Sequence, residues 1–363
     1  KLGKYGMANS FKELKNFWKN KRVFITGHTG FKGTWLVIFL NMMKAKIYGY
    51  SLKAPKFSLF NQTKSSKLVK ENYYLNINDL NSLKKKLHKS KPQIVFHLAA
   101  QPLVSNSYED PLNTFMPNII GTANLLEAIK EIKSIKVVVI ITTDKVYKIK
   151  KKNKYFLEHD ELGGKDPYSA SKVCAEILVN SYIKTFFDQL SHRIRISTAR
   201  SGNVLGGGDY SKNRIIPDIL KSINHKKKLI IRNPKHIRPW QHVIEPVFGY
   251  LLLAQNLFLN KLLKRSHSWN FGPNYNSFIS VYELLAKIKK LKNIKNISIK
   301  KNNYIETKVL KLNSEKAKKY LRWSQKWNMD KTIKKILEWN DSYNSKKNMR
   351  KICEKQIKEY LDK

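Results

Sequence analysis

With 363 residues, 42% of them hydrophobic, the chain can bury a large core, which excludes disorder as its default state. Its 71 basic residues against 26 acidic ones give a net charge of +45, yet Lys, Asn and Ile are spread over helices and loops alike. That spread reads as compositional drift, so neither nucleic acid nor a membrane surface is expected as a specific partner. The densest basic runs are Lys148, Lys150, Lys151, Lys152 and Lys154, and Lys226 to Lys228. Both read as solvated loops without interleaved stacking aromatics. Two cysteines, Cys174 and Cys353, are too few for a disulfide framework or a cysteine-rich metal site, and a reducing cytoplasm fits. Cys174, between apolar neighbours, reads as core filler. The apolar stretch 247–259 is interrupted by Gln255 and Asn256 and falls short of a membrane span. No signal-type segment precedes Phe24, and Met7 is a candidate start, with residues 1–6 upstream of it.

In chain order, residues 22–26 (RVFIT) form a short β-type run, followed by Gly27, Gly30 and Gly33 and a helical stretch at 35–43. A second strand at 46–50, a short run at 73–75 and a helix near 80–88 come next. Apolar strands recur at 94–97, 137–142 and 194–199, with helical patterns at 114–130 and 169–187 between them. Strands alternating with helices predict an α/β fold whose parallel sheet is covered on both faces. After Ala199 the texture changes to Gly206, Gly207, Gly208 and Asp209 and then to spaced prolines, which marks a second, smaller lobe. The helical run 249–257 is expected to return to the sheet. The division is therefore 19–202 for a cofactor domain, 203–345 for a substrate lobe with a return segment near 240–272, and 346–363 for a Lys-rich helix or tail. From about Trp327 the chain is helical, with no role evident in its sequence.

Three constellations carry chemistry. Gly27-His28-Thr29-Gly30-Phe31-Lys32-Gly33 lies between the first strand and the first helix, where glycines allow a sharp turn and the helix N-terminus faces a pyrophosphate. At the end of the second strand Ser51, Leu52 and Lys53 stand where an acid would take the ribose hydroxyls, so the residues leave NAD and NADP both open. Tyr168 and Lys172, four apart, share a helix face, where the cation is expected to lower the phenol's pKa and make Tyr168 a base. Thr142, Thr143, Asp144 and Lys145 emerge from the carboxyl end of an apolar strand, the edge at which open α/β sheets bind ligands.

The glycine motif, His97-Leu98-Ala99-Ala100-Gln101, Thr143-Asp144-Lys145 and the Tyr168/Lys172 pair resemble the extended short-chain dehydrogenase/reductase family of sugar-nucleotide enzymes, over residues 17–340. Within it, GHTGFKGTWL at 27–36, TTDKVY at 142–147, ARSGNVLGGGD at 199–209 and RPWQHVIEP at 238–246 are similar to the CDP-glucose 4,6-dehydratase branch. Lys145 favours that branch, since relatives acting on dTDP-glucose or GDP-mannose usually carry Glu there. The resemblance implies a Rossmann-type doubly wound sheet, NAD as cofactor, CDP-glucose as substrate, and a homodimer built on helices at 123–130 and 169–187. It implies a 4-keto-6-deoxy product destined for surface polysaccharide. It further implies that Tyr168, helped by Lys172 and Thr143, takes the 4-hydroxyl proton while C4 gives a hydride to the nicotinamide, that Asp144 is the acid and that Lys145 is the base for eliminating the 6-hydroxyl.

By position the resemblance gives Gly27, Thr29, Gly30, Phe31, Lys32, Gly33, Asn76, Ile77, Leu98, Ala99, Ala100, Tyr168 and Lys172 to the cofactor. Asn76 departs from the Asp usual at the adenine. Gln101, Asn203, Arg238 and His242 are expected at the substrate, the amide of Asn203 and the guanidinium of Arg238 suiting its diphosphate. Asn118 reads equally as a loop anchor or as a contact to the reacting segment. No metal is expected, because no His, Cys and carboxylate cluster has ligand spacing. The alternatives are a 4-epimerase or a dehydratase of another nucleotide sugar, and a non-catalytic basic protein binding NAD and nucleic acid.

Overall fold

The structure, a computed structural model, describes residues 11–149, 154–189, 194–262, 267–294, 296–300 and 310–362. Met7 and Lys150 to Lys152 of the basic run lie outside the described residues; Lys226 to Lys228 are exposed.

Short runs, apolar at the centre and more polar to either side, become the strands of one parallel sheet. They are β1 (Arg22–Thr26), β2 (Lys46–Ser51), β3 (Glu71–Tyr74), β4 (Ile94–His97), β5 (Val137–Ile141), β6 (Arg195–Ser201) and β7 (Ser268–Phe271). Their order is β7-β6-β5-β4-β1-β2-β3 and every pairing is parallel. Side chains alternate between two cores, as a period of two dictates. Val23 and Ile25 of β1, with Val137, Val139 and Ile141 of β5, enter one core, while Phe24, Val138 and Ile140 enter the other. Val137 to Val139 lie fully buried at the centre of the sheet.

The first core is closed by α2 (Phe31–Met42), α7 (Ile244–Phe258) and α9 (Met349–Leu361), with α1 (Phe11–Trp18) inserting Leu14 and Trp18. The second is closed by α3 (Leu80–Ser90), α4 (Gly121–Ile129) and α5 (Pro167–Tyr182). The returning helix thus begins at Ile244 and is buried along nearly its whole length, and β7 follows it onto the sheet edge. The stretch without an evident role forms α8 (Met329–Asn344) and α9, of which α9 drives Cys353, Ile357 and Tyr360 into the core beside α2. Cys174, read as core filler, is only half-buried on α5, whereas Cys353 is fully buried.

Two helices depart from the sequence pattern. The run 114–130 is broken into Leu112–Phe115, a wide turn at Met116–Ile120 and α4. Pro117, lacking an N–H and crowding the preceding turn, accounts for the widening. α5 starts two residues early because Asp166 accepts the Ser169 N–H as an N-cap and Pro167 takes the first helical position, and its last turn widens at Ile183–Phe187.

The second lobe packs α6 (Ile215–His225), the strand Leu229–Ile231, Trp240 and the helix Val281–Lys289 against α8. Among the described residues no helix is long and apolar enough to cross a membrane.

Candidate active site

The strand register brings Thr26, His97, Ile140 and Thr198 to one level at the carboxyl edge, and the order reverses between β1 and β4. A crevice at this reversal is where such sheets bind ligands. A cavity of about 1090 Å³ opens there, walled by the glycine loop, the ends of β4 and β5, the start of α5 and the second lobe. That volume exceeds a typical single-ligand pocket and has room for a dinucleotide together with a nucleotide sugar.

The first wall is shaped by two glycines. Gly27 turns with φ +73°, and a Cβ on it would lie 2.6 Å from the Ala99 nitrogen. A Cβ on Gly33 would lie 2.2 Å from the Gly27 carbonyl oxygen. Gly30 caps α2 without any side-chain bond, so the helix N-terminus faces the cavity through its backbone. Residues and shape fit a dinucleotide pyrophosphate. Gly33→Ala is expected to force the loop from the helix, weakening NAD binding at least tenfold and destabilising the fold by about 2 kcal/mol or more. Cofactor titration and thermal unfolding of the variant check both.

Thr29 bonds the Ser51 hydroxyl at 2.8 Å and donates to the Leu52 carbonyl, tying the loop to the end of β2. Asn76 and Ile77 line the same end, but the exposed Asn76 turns its amide oxygen to its own loop, accepting from Asn78 N. Leu98, Ala99 and Ala100 line the floor, with Ala99 N donating to Thr26 Oγ1. His28 is buried under Gly49 and held near pKa 4, by burial above all.

At the second wall, Tyr168 is hydrogen-bonded to Thr143, and Lys172 Nζ donates to the Ile141 carbonyl at 3.3 Å. The expectation of a lowered Tyr168 pKa is corrected. Burial pushes the phenol up to about 12, against the Thr143 bond, and Lys172 spends its nearest bond on the backbone. Lys172 itself is pulled down to about 8 by burial, opposed by Glu176. Asp144 is buried against Gly202 and its carboxyl is raised by burial over the opposing pull of Lys145. Such a group holds a proton longer than an exposed aspartate. Lys145 is half-buried and lines the cavity beside it.

Asn118 serves both of its readings. Its amide bonds the Gln101 backbone in both directions and also donates to Ser171 Oγ on α5 at 2.8 Å. Gln101 reaches the cavity lining, but its side chain is engaged by Leu103 and Thr114. Asn203 and Arg238 line the substrate side, where Arg238 Nη2 bonds His236 Nδ1 at 3.0 Å. His242 does not reach the cavity. It is fully buried between Trp35 and Trp327, its Nδ1 accepts Ile244 N, and burial holds it near pKa 3, so its assignment to the substrate is corrected to a packed core histidine.

Sequence reading passed over several groups that the fold brings here. Arg214, at the start of α6, pairs with Asp209 at 3.2 Å and lines the cavity with Arg232. Behind α5, Glu176 pairs with Arg200 at 2.9 Å, both almost fully buried. The placing of Glu176 four residues beyond Lys172 was the only available signal for it. Among the described residues no group of three or more His, Cys, Asp or Glu is placed to hold a metal.

Residues 24–336 match the family model described as GDP-mannose 4,6 dehydratase. The chain belongs to the GDP-mannose 4,6-dehydratase family. Beside that match, the chain is 42% identical over 325 residues to the CDP-glucose 4,6-dehydratase of Salmonella typhimurium, covering 88% of this chain and 90% of that one. In fold, this family member is similar to dTDP-glucose 4,6-dehydratase from Bacillus anthracis, solved in complex with NAD, with a TM-score of 0.75, 22% identity and coverage of 91% and 99%. UDP-glucose 4-epimerase from Thermotoga maritima gives the same TM-score at 20% identity, covering 89% and 99%. The Rossmann-type fold expected of the 4,6-dehydratase is therefore shared by epimerases, and only the groups in the cavity separate the two chemistries.

Proposed function

We propose that this protein is an NAD-dependent 4,6-dehydratase of CDP-glucose, producing CDP-4-dehydro-6-deoxyglucose. The observation that carries the reading is the meeting of two sets of groups in one cavity: Tyr168 with Thr143 for an alcohol oxidation, and buried Asp144 beside Lys145 for an elimination. An epimerase needs only the first set. The 42% identity to a CDP-glucose enzyme supports the choice of nucleotide sugar.

NAD, when bound, accepts a hydride from sugar C4 and returns it to C6. Residues 19–202 hold it, with Gly27, Thr29, Gly30, Phe31, Lys32 and Gly33 at the pyrophosphate and Asn76, Ile77, Leu98, Ala99 and Ala100 along its length. Residues 203–345, through Asn203 and Arg238, hold the sugar nucleotide's diphosphate. Tyr168, oriented by Thr143 and accompanied by the Lys172 cation, takes the O4 proton. Lys145 takes the C5 proton that the 4-ketone acidifies, and Asp144, whose carboxyl burial raises, donates to the departing O6.

The protein works as a homodimer in the cytoplasm, its product serving deoxysugars of surface polysaccharide such as O-antigen of lipopolysaccharide. Exposed Leu112, Met116 and Ile120 at four-residue spacing, with Ile177 on the adjacent α5, support an apolar helix face for a second copy.

Incubation with NAD and, separately, CDP-glucose, dTDP-glucose, UDP-glucose and GDP-mannose is expected to give the alkaline absorbance of a 4-keto-6-deoxy sugar from CDP-glucose alone. Turnover of a different donor would replace the substrate, and silence from all four in a folded, NAD-binding sample would end the dehydratase reading. Lys145→Glu is expected to change the rate of C5 proton exchange with solvent; an unchanged rate argues against Lys145 as the base.

A further inference from the structure

Lys32 stands in the first turn of α2, in the loop that cradles the cofactor, yet its side chain turns away from the turn. Its Nζ donates to Ser201 Oγ at 2.8 Å, and Ser201 Oγ meets Tyr250 OH at 2.8 Å. The amine is thus placed at the base of the cavity, at the end of β6, by two hydroxyls from different elements. Neither hydroxyl fixes its charge, since each can donate as well as accept. Facing it are Asp144 from the β5 edge, Lys172 from α5 and Arg214 from the second lobe, with Tyr250 below from α7 and Tyr168 beyond Tyr250. Asp144 in turn feels Lys145 and Arg238. Two cations against one carboxyl, itself raised by burial, leave the amine close to its tipping point: burial and Arg214 pull Lys32 down to about 7.

Oxidation of an alcohol by NAD⁺ removes one cationic charge from the nicotinamide and frees one proton. Among charged groups buried from water, a change of net charge is costly. We propose that Lys32 is the proton reservoir of the cofactor site, a neutral amine beside NAD⁺ and an ammonium beside NADH. The balance closes: alcohol, NAD⁺ and Lys32 amine give ketone, NADH and Lys32 ammonium, with two electrons and one proton leaving the alcohol as hydride and a second proton ending on Lys32. The net charge does not change, and the return of hydride reverses it. Lys32 is thereby a positioning residue acting through charge, and the inference rests on the assignment of NAD to this cavity.

The test uses the cofactors alone, without sugar. Across pH 6 to 8, the preference for NADH over NAD⁺, read as the ratio of the two dissociation constants, is expected to fall by up to about tenfold per pH unit, the slope of one linked proton. Titrations near pH 7 in two buffers of different ionisation enthalpy are expected to show proton release on NAD⁺ binding and proton uptake on NADH binding. Lys32→Met is expected to bind both forms with a pH-independent ratio. A flat ratio in the parent protein, or an unchanged slope in Lys32→Met, overturns the proposal, the latter by assigning the proton to another group such as Lys172. Should Lys32→Met fail to fold, equal proton exchange with both cofactors in the parent overturns it by itself. Failure of either cofactor to bind the folded parent would instead remove the cofactor assignment and the inference with it.

Discussion

Tyr168→Phe is expected to lower kcat on CDP-glucose by about 10³-fold while leaving NAD affinity within about threefold of the parent. The ring sits in a wall capped by Asp166 and Pro167, and Phe preserves its packing; only the phenolic oxygen bonded to Thr143 is lost. Burial pushes that phenol up to about 12 in the protein without cofactor, so Tyr168 rests there as a neutral phenol and must give up its proton before it can act as a base. Its role as a base then depends on cationic charge arriving nearby. Lys172, drawn down to about 8, supplies such charge at neutral pH and gives it up above that value. Steady-state kinetics together with a cofactor titration check the prediction. A loss in NAD affinity matching the loss in kcat would mean that the ring positions the cofactor and does not carry the proton.

Glu176→Ala is expected to cost about 3 to 5 kcal/mol of stability, because it strands Arg200 as an unpaired buried cation. Glu176 binds Arg200 through both carboxylate oxygens, at 2.9 Å each, and accepts the hydroxyls of Thr142, just past the end of β5, and of Thr198 on β6. Arg200 continues to Tyr147 and to the Glu158 carbonyl, so this one carboxylate ties α5 to the sheet and to the segment beyond Lys145. Burial pushes the Glu176 carboxyl up, but Arg200 and the hydroxyl donors outweigh it, and the net shift is downward. The folded state therefore binds this proton less readily than the unfolded chain. Its contribution is present above the ordinary glutamate range and is lost as pH falls through the lowered folded value. Glu176→Ala should accordingly unfold with a shallower acid dependence than the parent, which denaturant titrations from pH 7 down to below pH 4 would measure. A parent-like stability at pH 7 would show the network to be dispensable.

The centre of the sheet was legible because β1, β4 and β5 are apolar runs bounded by turn residues, whereas its edges were less so: β3 is the polar run ENYY, expected two residues late, and β7 was not read as a strand. The glycine loop was legible for a related reason: Gly27 and Gly33 occupy places where a Cβ collides with backbone, a constraint that permits one residue type. What escaped is what depends on neighbours remote in sequence. His242 sits in a motif with Arg238, but Trp35 and Trp327, from distant segments, close over it. Gln101 looks like a polar residue aimed at a ligand until Thr114 and Leu103 take its amide. The Tyr168/Lys172 spacing gave the right face and the wrong charge balance, since burial, which the spacing cannot report, exceeds the pull of a cation bonded to Ile141 O. Lys32 was placed by its loop, while the hydroxyls that turn its side chain come from Ser201 and Tyr250.

The packing of α9 against α2 also sets a timetable for synthesis. Helix α2 carries the cofactor loop at its start and is buried along most of its length, with Cys353, Ile357 and Tyr360 of α9 in the same core. About 300 residues separate the two helices, so at ~5–20 residues per second the ribosome leaves that flank of α2 uncovered for tens of seconds. Until α9 emerges, that apolar flank of the cofactor helix lacks its last cover, so the final residues translated complete the burial of one of the first helices made.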